Sequence, residues 1–145
     1  EAELWVVGIN PSEELMKFSS QNIHITGKVD DVVPYYARSD LCVVPLRAGS
    51  GTRLKILESM ALGRPVVTTS IGCEGLQVDS RHLAIADTSV DFAQEVIDLL
   101  ENQERYEQLA ENARALVENQ YDWDIIANRL LTLYNQVACK SNTST

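Results

Sequence analysis

The 145-residue sequence carries 12 Lys and Arg against 21 Asp and Glu, a net charge of −9. That length suits one ordinary domain with a real core, and the acidic balance argues against nucleic acid, whose binding needs a basic surface. No apolar run approaches the roughly 20 residues of a membrane span, and the start lacks the charged-then-apolar order of a secretion signal.

The chain begins at Glu1 without a Met, which reads as a piece of a longer protein. LWVVG (Leu4 to Gly8) is a short strand ended by glycine; in the NPSEEL that follows, Ser12 can cap a helix with Glu13 and Glu14 in its first turn. IHIT (Ile23 to Thr26) is strand-like, and VVPYYARS with Pro34 near its start gives a turn or two of helix. LCVVP (Leu41 to Pro45) is apolar throughout, as in a strand covered on both faces. PVVTT (Pro65 to Thr69) and HLAIA (His82 to Ala86) repeat the cycle.

Short strands alternating with helices predict an α/β fold, a Rossmann-like doubly wound parallel sheet with right-handed crossovers and a helical C-terminal end. Beyond Val90 three apolar stripes are assigned to core packing: Phe92, Val96, Leu99 and Leu100; Tyr106, Leu109, Ala113, Leu116 and Val117; and Trp123, Ile126, Leu130, Tyr134 and Val137. Residues 1–140 are expected to form one domain, with a frayed polar tail over 141–145. Cys42, Cys73 and Cys139 lie far apart, which suggests neither a zinc cluster nor a disulfide set and makes a reduced, cytoplasmic setting the expectation.

Charge is unevenly spread. Residues 87–124 hold eleven carboxylates against Arg105 and Arg114, whereas over 45–64 Arg47, Arg53, Lys55 and Arg64 face only Glu58. This basic island coincides with AGSGTRLK, the passage from a strand into a helix at the end of the sheet where ligands gather. Glycines let backbone approach a ligand, and free amides at a helix start favour an anion. Arg53 and Lys55 oppose the helix dipole there, which makes sense if an anion outweighs the repulsion. A solvated basic face has the same composition. The P-loop and the dinucleotide fingerprint are both excluded, because the position each needs as glycine is Leu54. On a helical wheel Leu54, Leu57, Met60 and Ala61 form the buried face and leave Glu58 on its flank. Glu58 then either accepts hydroxyl hydrogen bonds from a sugar or pairs with Lys55 or Arg64.

The segments ITGKVDDVVPYYARSDLCVVP, VVPLRAGSGTRLKILESMALGRPVVTTSIGCEGL and YDWDIIANRLLTLY occur in family order. They resemble the nucleotide-sugar-binding half of GT-B-fold retaining glycosyltransferases, the glycosyl transferase group 1 family. The resemblance implies a donor nucleoside-diphosphate sugar whose diphosphate rests on Gly49, Ser50, Gly51 and Thr52. It implies that Glu58 holds ribose hydroxyls, that the segment around Gly27 to Val29 borders the base, and that Arg53 and Lys55 stabilise the leaving diphosphate without a metal. Glu74, at the same sheet end, is a further donor-site candidate. Ser50 stands where the family usually has a glutamate touching the sugar. LWVVG corresponds to the family's second strand, so the first strand, its basic loop and the N-terminal acceptor-binding domain are expected to precede residue 1. The isolated piece is expected to be inactive and, with a sheet position uncovered, open to self-association; the full enzyme could touch a membrane peripherally. The Asp-x-Asp of Asp122 to Asp124 reads as a helix cap and a first-turn acid, not a metal site. Two alternatives remain: a nucleotide-sugar epimerase of the same fold, and a non-catalytic α/β binding module.

Overall fold

A computed structural model describes the backbone of residues 2–141 and the side chains of residues 2–138. The elements follow the expected alternation: β1 (Leu4–Val7), α1 (Glu13–Met16), β2 (Ile23–Gly27), α2 (Val33–Arg38), β3 (Cys42–Val44), α3 (Leu54–Ala61), β4 (Val66–Thr68), β5 (Ala84–Ile85), α4 (Ser89–Glu101), α5 (Gln103–Gln120) and α6 (Trp123–Ser141). The tail over 142–145 lies outside the described residues.

The chain forms two compact units, Glu1–Ser39 and Asp40–Thr145. In the first, β1 and β2 pair in parallel, Leu4 beside Ile23 and Val6 beside Ile25. Ser12 caps α1 as its sequence predicts, accepting from the Leu15 amide at 3.1 Å. No described residue of this unit is fully buried; Trp5 remains half exposed and stacks on His24 with ring centroids 4.3 Å apart.

In the second unit β3, β4 and β5 pair in parallel in that order. Successive residues of a strand face opposite sides, and β4 uses this to divide the core. Val66 packs with Ile56 and Met60 of α3, Cys73, Leu83 and Ala113; Val67 packs with Ala84, Leu99 and Leu109. Both sheet faces are thus covered by helices, as an apolar parallel strand requires. All strands are parallel as expected, but they are hydrogen-bonded in two groups and not in one continuous sheet.

Three helical faces differ from the periodicity reading. On α3 the buried residues are Ile56, Ser59 and Met60, while Leu54 is 57% exposed. Leu54 is the first residue of the helix, where the chain is still leaving the loop, and Ala61 at its other end is exposed as well, so the buried face is the Ile56, Ser59 and Met60 row. The stripe on α6 is not core: Trp123 (82%), Leu130 (50%), Tyr134 (65%) and Val137 (68%) are all exposed. Periodicity reports that a helix has an apolar face and not what covers it. Leu100, expected in the α4 stripe, is likewise 45% exposed, whereas Leu99 beside it is buried.

Candidate functional site

The carboxyl ends of β3, β4 and β5 lie at one end of their parallel sheet, so the segments leaving them meet there. The first is the loop into α3. Gly49, Ser50, Gly51 and Thr52 are exposed, and the two glycines take positive φ angles of 145° and 107°, which only glycine adopts without strain. Among the described residues, the amides of Gly49, Ser50, Gly51, Thr52 and Arg53 donate to no acceptor. No side chain caps α3. A run of five amides without an acceptor thus stands at a helix start, on a stretch exposed from Gly49 to Thr52, the arrangement that suits an anion.

Arg53 is the residue that caps this helix end, and Lys55 follows exposed in its first turn. The Arg53 side chain is only 9% exposed. Its Nη2 donates to the carbonyls of Ile71 (2.8 Å) and Gly49 (3.4 Å) and lies 3.9 Å from Glu74 Oε2. Arg53 is thus folded back into the protein behind the loop, while Glu74, 75% exposed, stands at its other side. Glu58 is exposed on α3, one turn beyond Leu54. Val29 belongs to the first unit, so it is described with β2 and not with this loop.

The second segment follows β4 and was only partly legible in the sequence. Thr69 Oγ1 donates to the Leu46 carbonyl and accepts from the Gly72 amide at 3.0 Å, and Thr68 Oγ1 donates to the Val44 carbonyl at 3.1 Å. These hydroxyls stitch the two loops together at their bases. The Thr-Thr pair ending an otherwise apolar strand was the available signal. The third segment brings Asp87, whose Oδ1 accepts from the amide (2.8 Å) and hydroxyl (2.9 Å) of Ser70. A cavity of about 190 Å³ at this sheet end is lined by Pro45, Arg47, Thr69, Asp87, Ser89 and Phe92 among others, and by none of residues 49–58.

Two thiols flank the region. Burial raises the pKa of Cys42, against a hydrogen bond from Ser59 and the charge of Lys55, and burial raises that of Cys73. The carboxylates of DWD serve α6: Asp122 Oδ1 accepts from the Asp124 amide at 2.8 Å and the Asp122 carbonyl from Ile126 at 3.0 Å, as a cap does. Among the described residues no group of three or more His, Cys, Asp or Glu could hold a metal ion, and no helix is long and apolar enough to cross a membrane.

The sequence profile described as Glycosyl transferases group 1 matches residues 1–102. The chain belongs to that family. It is 30% identical over 146 aligned residues to the N-acetyl-alpha-D-glucosaminyl L-malate synthase of Bacillus anthracis, an alignment covering 94% of this chain and 38% of that protein. To the phosphatidyl-myo-inositol mannosyltransferase of Mycobacterium leprae it is 28% identical, over 95% of this chain and 39% of the relative. The chain therefore spans about two fifths of the length of these relatives. Among solved structures, Anabaena Alr3699/HepE in complex with UDP aligns at a TM-score of 0.80 and 18% identity, covering 93% of this chain and 41% of that one. Sucrose-phosphate synthase from Thermosynechococcus elongatus aligns at 0.78 and 21%, covering 95% and 39%. These likenesses match the group 1 chain to about two fifths of GT-B glycosyltransferase structures and agree with the α/β, parallel-stranded architecture anticipated from its strand and helix order.

Proposed function

We propose that this chain is the donor-binding part of a retaining glycosyltransferase, which moves a sugar from a nucleoside-diphosphate sugar to an acceptor hydroxyl. The observation that carries the reading is the run of amides without an acceptor from Gly49 to Arg53, exposed over residues 49–52, between the carboxyl end of β3 and the start of α3. Oriented N–H groups and a helix dipole stabilise negative charge without reorganising. Family membership supports the reaction class, and the UDP complex of the Anabaena structure supports a nucleoside diphosphate as ligand.

In this reading the diphosphate lies on Gly49, Ser50, Gly51 and Thr52, and Glu58 accepts hydrogen bonds from ribose hydroxyls. Glu74 faces the donor from the loop after β4. As the sugar leaves, charge grows on the diphosphate; Lys55 meets it from the surface, and Arg53 adds positive charge from its buried position. No metal is needed for that stabilisation. The acceptor-binding domain and a first strand preceding β1 belong to the part of the protein outside these residues, so the chain alone binds donor and transfers nothing. A cytoplasmic setting fits its dispersed cysteines.

Backbone NMR of the labelled full-length protein tests the placement. On addition of UDP, GDP or ADP the amides of Gly49, Ser50, Gly51 and Thr52 should show the largest shifts; a ligand whose largest shifts lie elsewhere would remove the diphosphate from this loop.

A further inference from the structure

The position of Arg53 calls for an explanation beyond its charge. A cation at a helix N-terminus opposes the dipole, and a guanidinium with only 9% of its side chain exposed also loses hydration. What holds it there is a set of acceptors on two loops: the Gly49 carbonyl from its own loop, and the Ile71 carbonyl and Glu74 carboxylate from the loop after β4. The Thr68 and Thr69 hydroxyls join these loops at their bases. Among the described residues Arg53 is the side chain that reaches Gly49 and Ile71 nearer their tips.

The hydrogen bond to Gly49 also has a directional effect. The Gly49 carbonyl and the Ser50 amide belong to one planar trans peptide unit, so they point in opposite directions. Drawing that carbonyl towards the buried guanidinium turns the Ser50 N–H away from it, towards the open side of the loop. Gly49 at φ 145° permits this orientation of the peptide.

We infer that Arg53 is a positioning residue that ties the loop over 45–53 to the loop over 69–75, aims the Ser50 amide outward, and thereby sets the geometry of the cradle without touching the ligand. The inference rests on the reading of that cradle as the donor site. All three contacts are made by one nitrogen, Nη2, at the far end of the guanidinium, and a lysine ammonium, on a side chain one bond shorter, does not reach that position. Lys55, exposed in the first turn, acts by charge.

The test compares the full-length protein with Arg53→Lys, Arg53→Gln, Lys55→Ala and Glu74→Gln, using UDP, GDP and ADP as probes at low and high salt, together with amide hydrogen exchange. Arg53→Lys should weaken binding of the preferred nucleotide by roughly 10-fold or more, nearly as much as Arg53→Gln, since charge-assisted hydrogen bonds are lost in both. That factor should be the same at both salt concentrations, whereas the loss in Lys55→Ala should shrink as salt screens an exposed charge. Exchange should accelerate together in Arg53→Lys at the hydrogen-bonded amides that border the two loops, Leu54 and Ile56 for the first and Gly72, Cys73 and Glu74 for the second, with the amides around Leu99 and Leu109 unchanged as the control for folding. Glu74→Gln removes an exposed arm of the tie; it should give the same pattern at a smaller factor, about two-fold, and it stands in should the Arg53 variants fail to fold. Affinity kept within about two-fold by Arg53→Lys but lost in Arg53→Gln, or a loss that fades with salt, would show direct charge contact and overturn the inference. If the unaltered protein binds none of the three nucleotides, the donor-site reading fails on its own. The exchange comparison still decides the tie, and unchanged exchange in either loop refutes it.

Discussion

The hydroxyl of Thr68 donates to the carbonyl of Val44 across 3.1 Å, joining the ends of β4 and β3 where the chain turns at Gly72. A Cβ on Gly72 would lie 2.1 Å from that hydroxyl and 3.1 Å from the same carbonyl. Gly72→Ala should therefore destabilise the protein by about 1–3 kcal/mol, the range for overpacking a filled site. Urea denaturation measures it; a midpoint equal to that of the unaltered protein would mean that the turn yields at no cost.

The two apolar helical faces predict opposite responses to mutation. Leu109 is 4% exposed and packs with Val67, Ala84 and Leu99, so Leu109→Ala should cost about 2–5 kcal/mol. Leu130 and Tyr134 of α6 are 50% and 65% exposed, so Leu130→Gln with Tyr134→Gln in the 145-residue chain should change stability by less than about 0.5 kcal/mol. A large loss from the α6 pair would mean that its stripe is covered after all.

The alternation of short apolar strands with helices was legible because strand length and helix periodicity are local properties, and every strand was found within a residue or two of its quoted stretch. The face of α3 was misjudged because Leu54 occupies the helix's first position, where burial depends on how the loop enters. The stripe on α6 was assigned to the core because a pattern of apolar residues is the same whether or not something covers it. At the site, Gly49 to Thr52 carried a visible signal in their composition. The inward turn of Arg53 did not, because it depends on the carbonyls of Gly49 and Ile71, and backbone acceptors leave no mark in a sequence.

Cys42 and Cys73 should react slowly. Burial raises both thiol pKa values, so at pH 7.5 less thiolate forms than on a free cysteine. Iodoacetamide should label them at a small fraction of the rate seen in urea. A group whose folded pKa lies above its unfolded value adds stability that is complete below the unfolded value, about 8.5, and lost as pH rises through the folded one. Stability should accordingly fall above pH 8.5 and recover in part in Cys42→Ala. Equal labelling rates in folded and unfolded protein would contradict the burial.

In the proposed donor site Glu58 and Lys55 have different parts of the ligand to hold. Glu58→Gln should weaken a nucleoside diphosphate by roughly 10-fold while leaving inorganic pyrophosphate unchanged, because only the former has ribose hydroxyls for the carboxylate. Lys55→Ala should weaken both. Competition against a fluorescent nucleotide measures the four affinities, and a Glu58→Gln effect of equal size on pyrophosphate would assign this carboxylate to the loop's structure.

Calorimetric titration of the full-length protein with UDP, GDP and ADP bears most directly on the cradle at the start of α3. One of the three should bind at a single site, with affinity reduced about 10-fold or more in Lys55→Ala at low salt. Absence of binding by all three, or binding that Lys55→Ala and Glu58→Gln both leave untouched, would contradict a diphosphate held by the amides of Gly49 to Thr52.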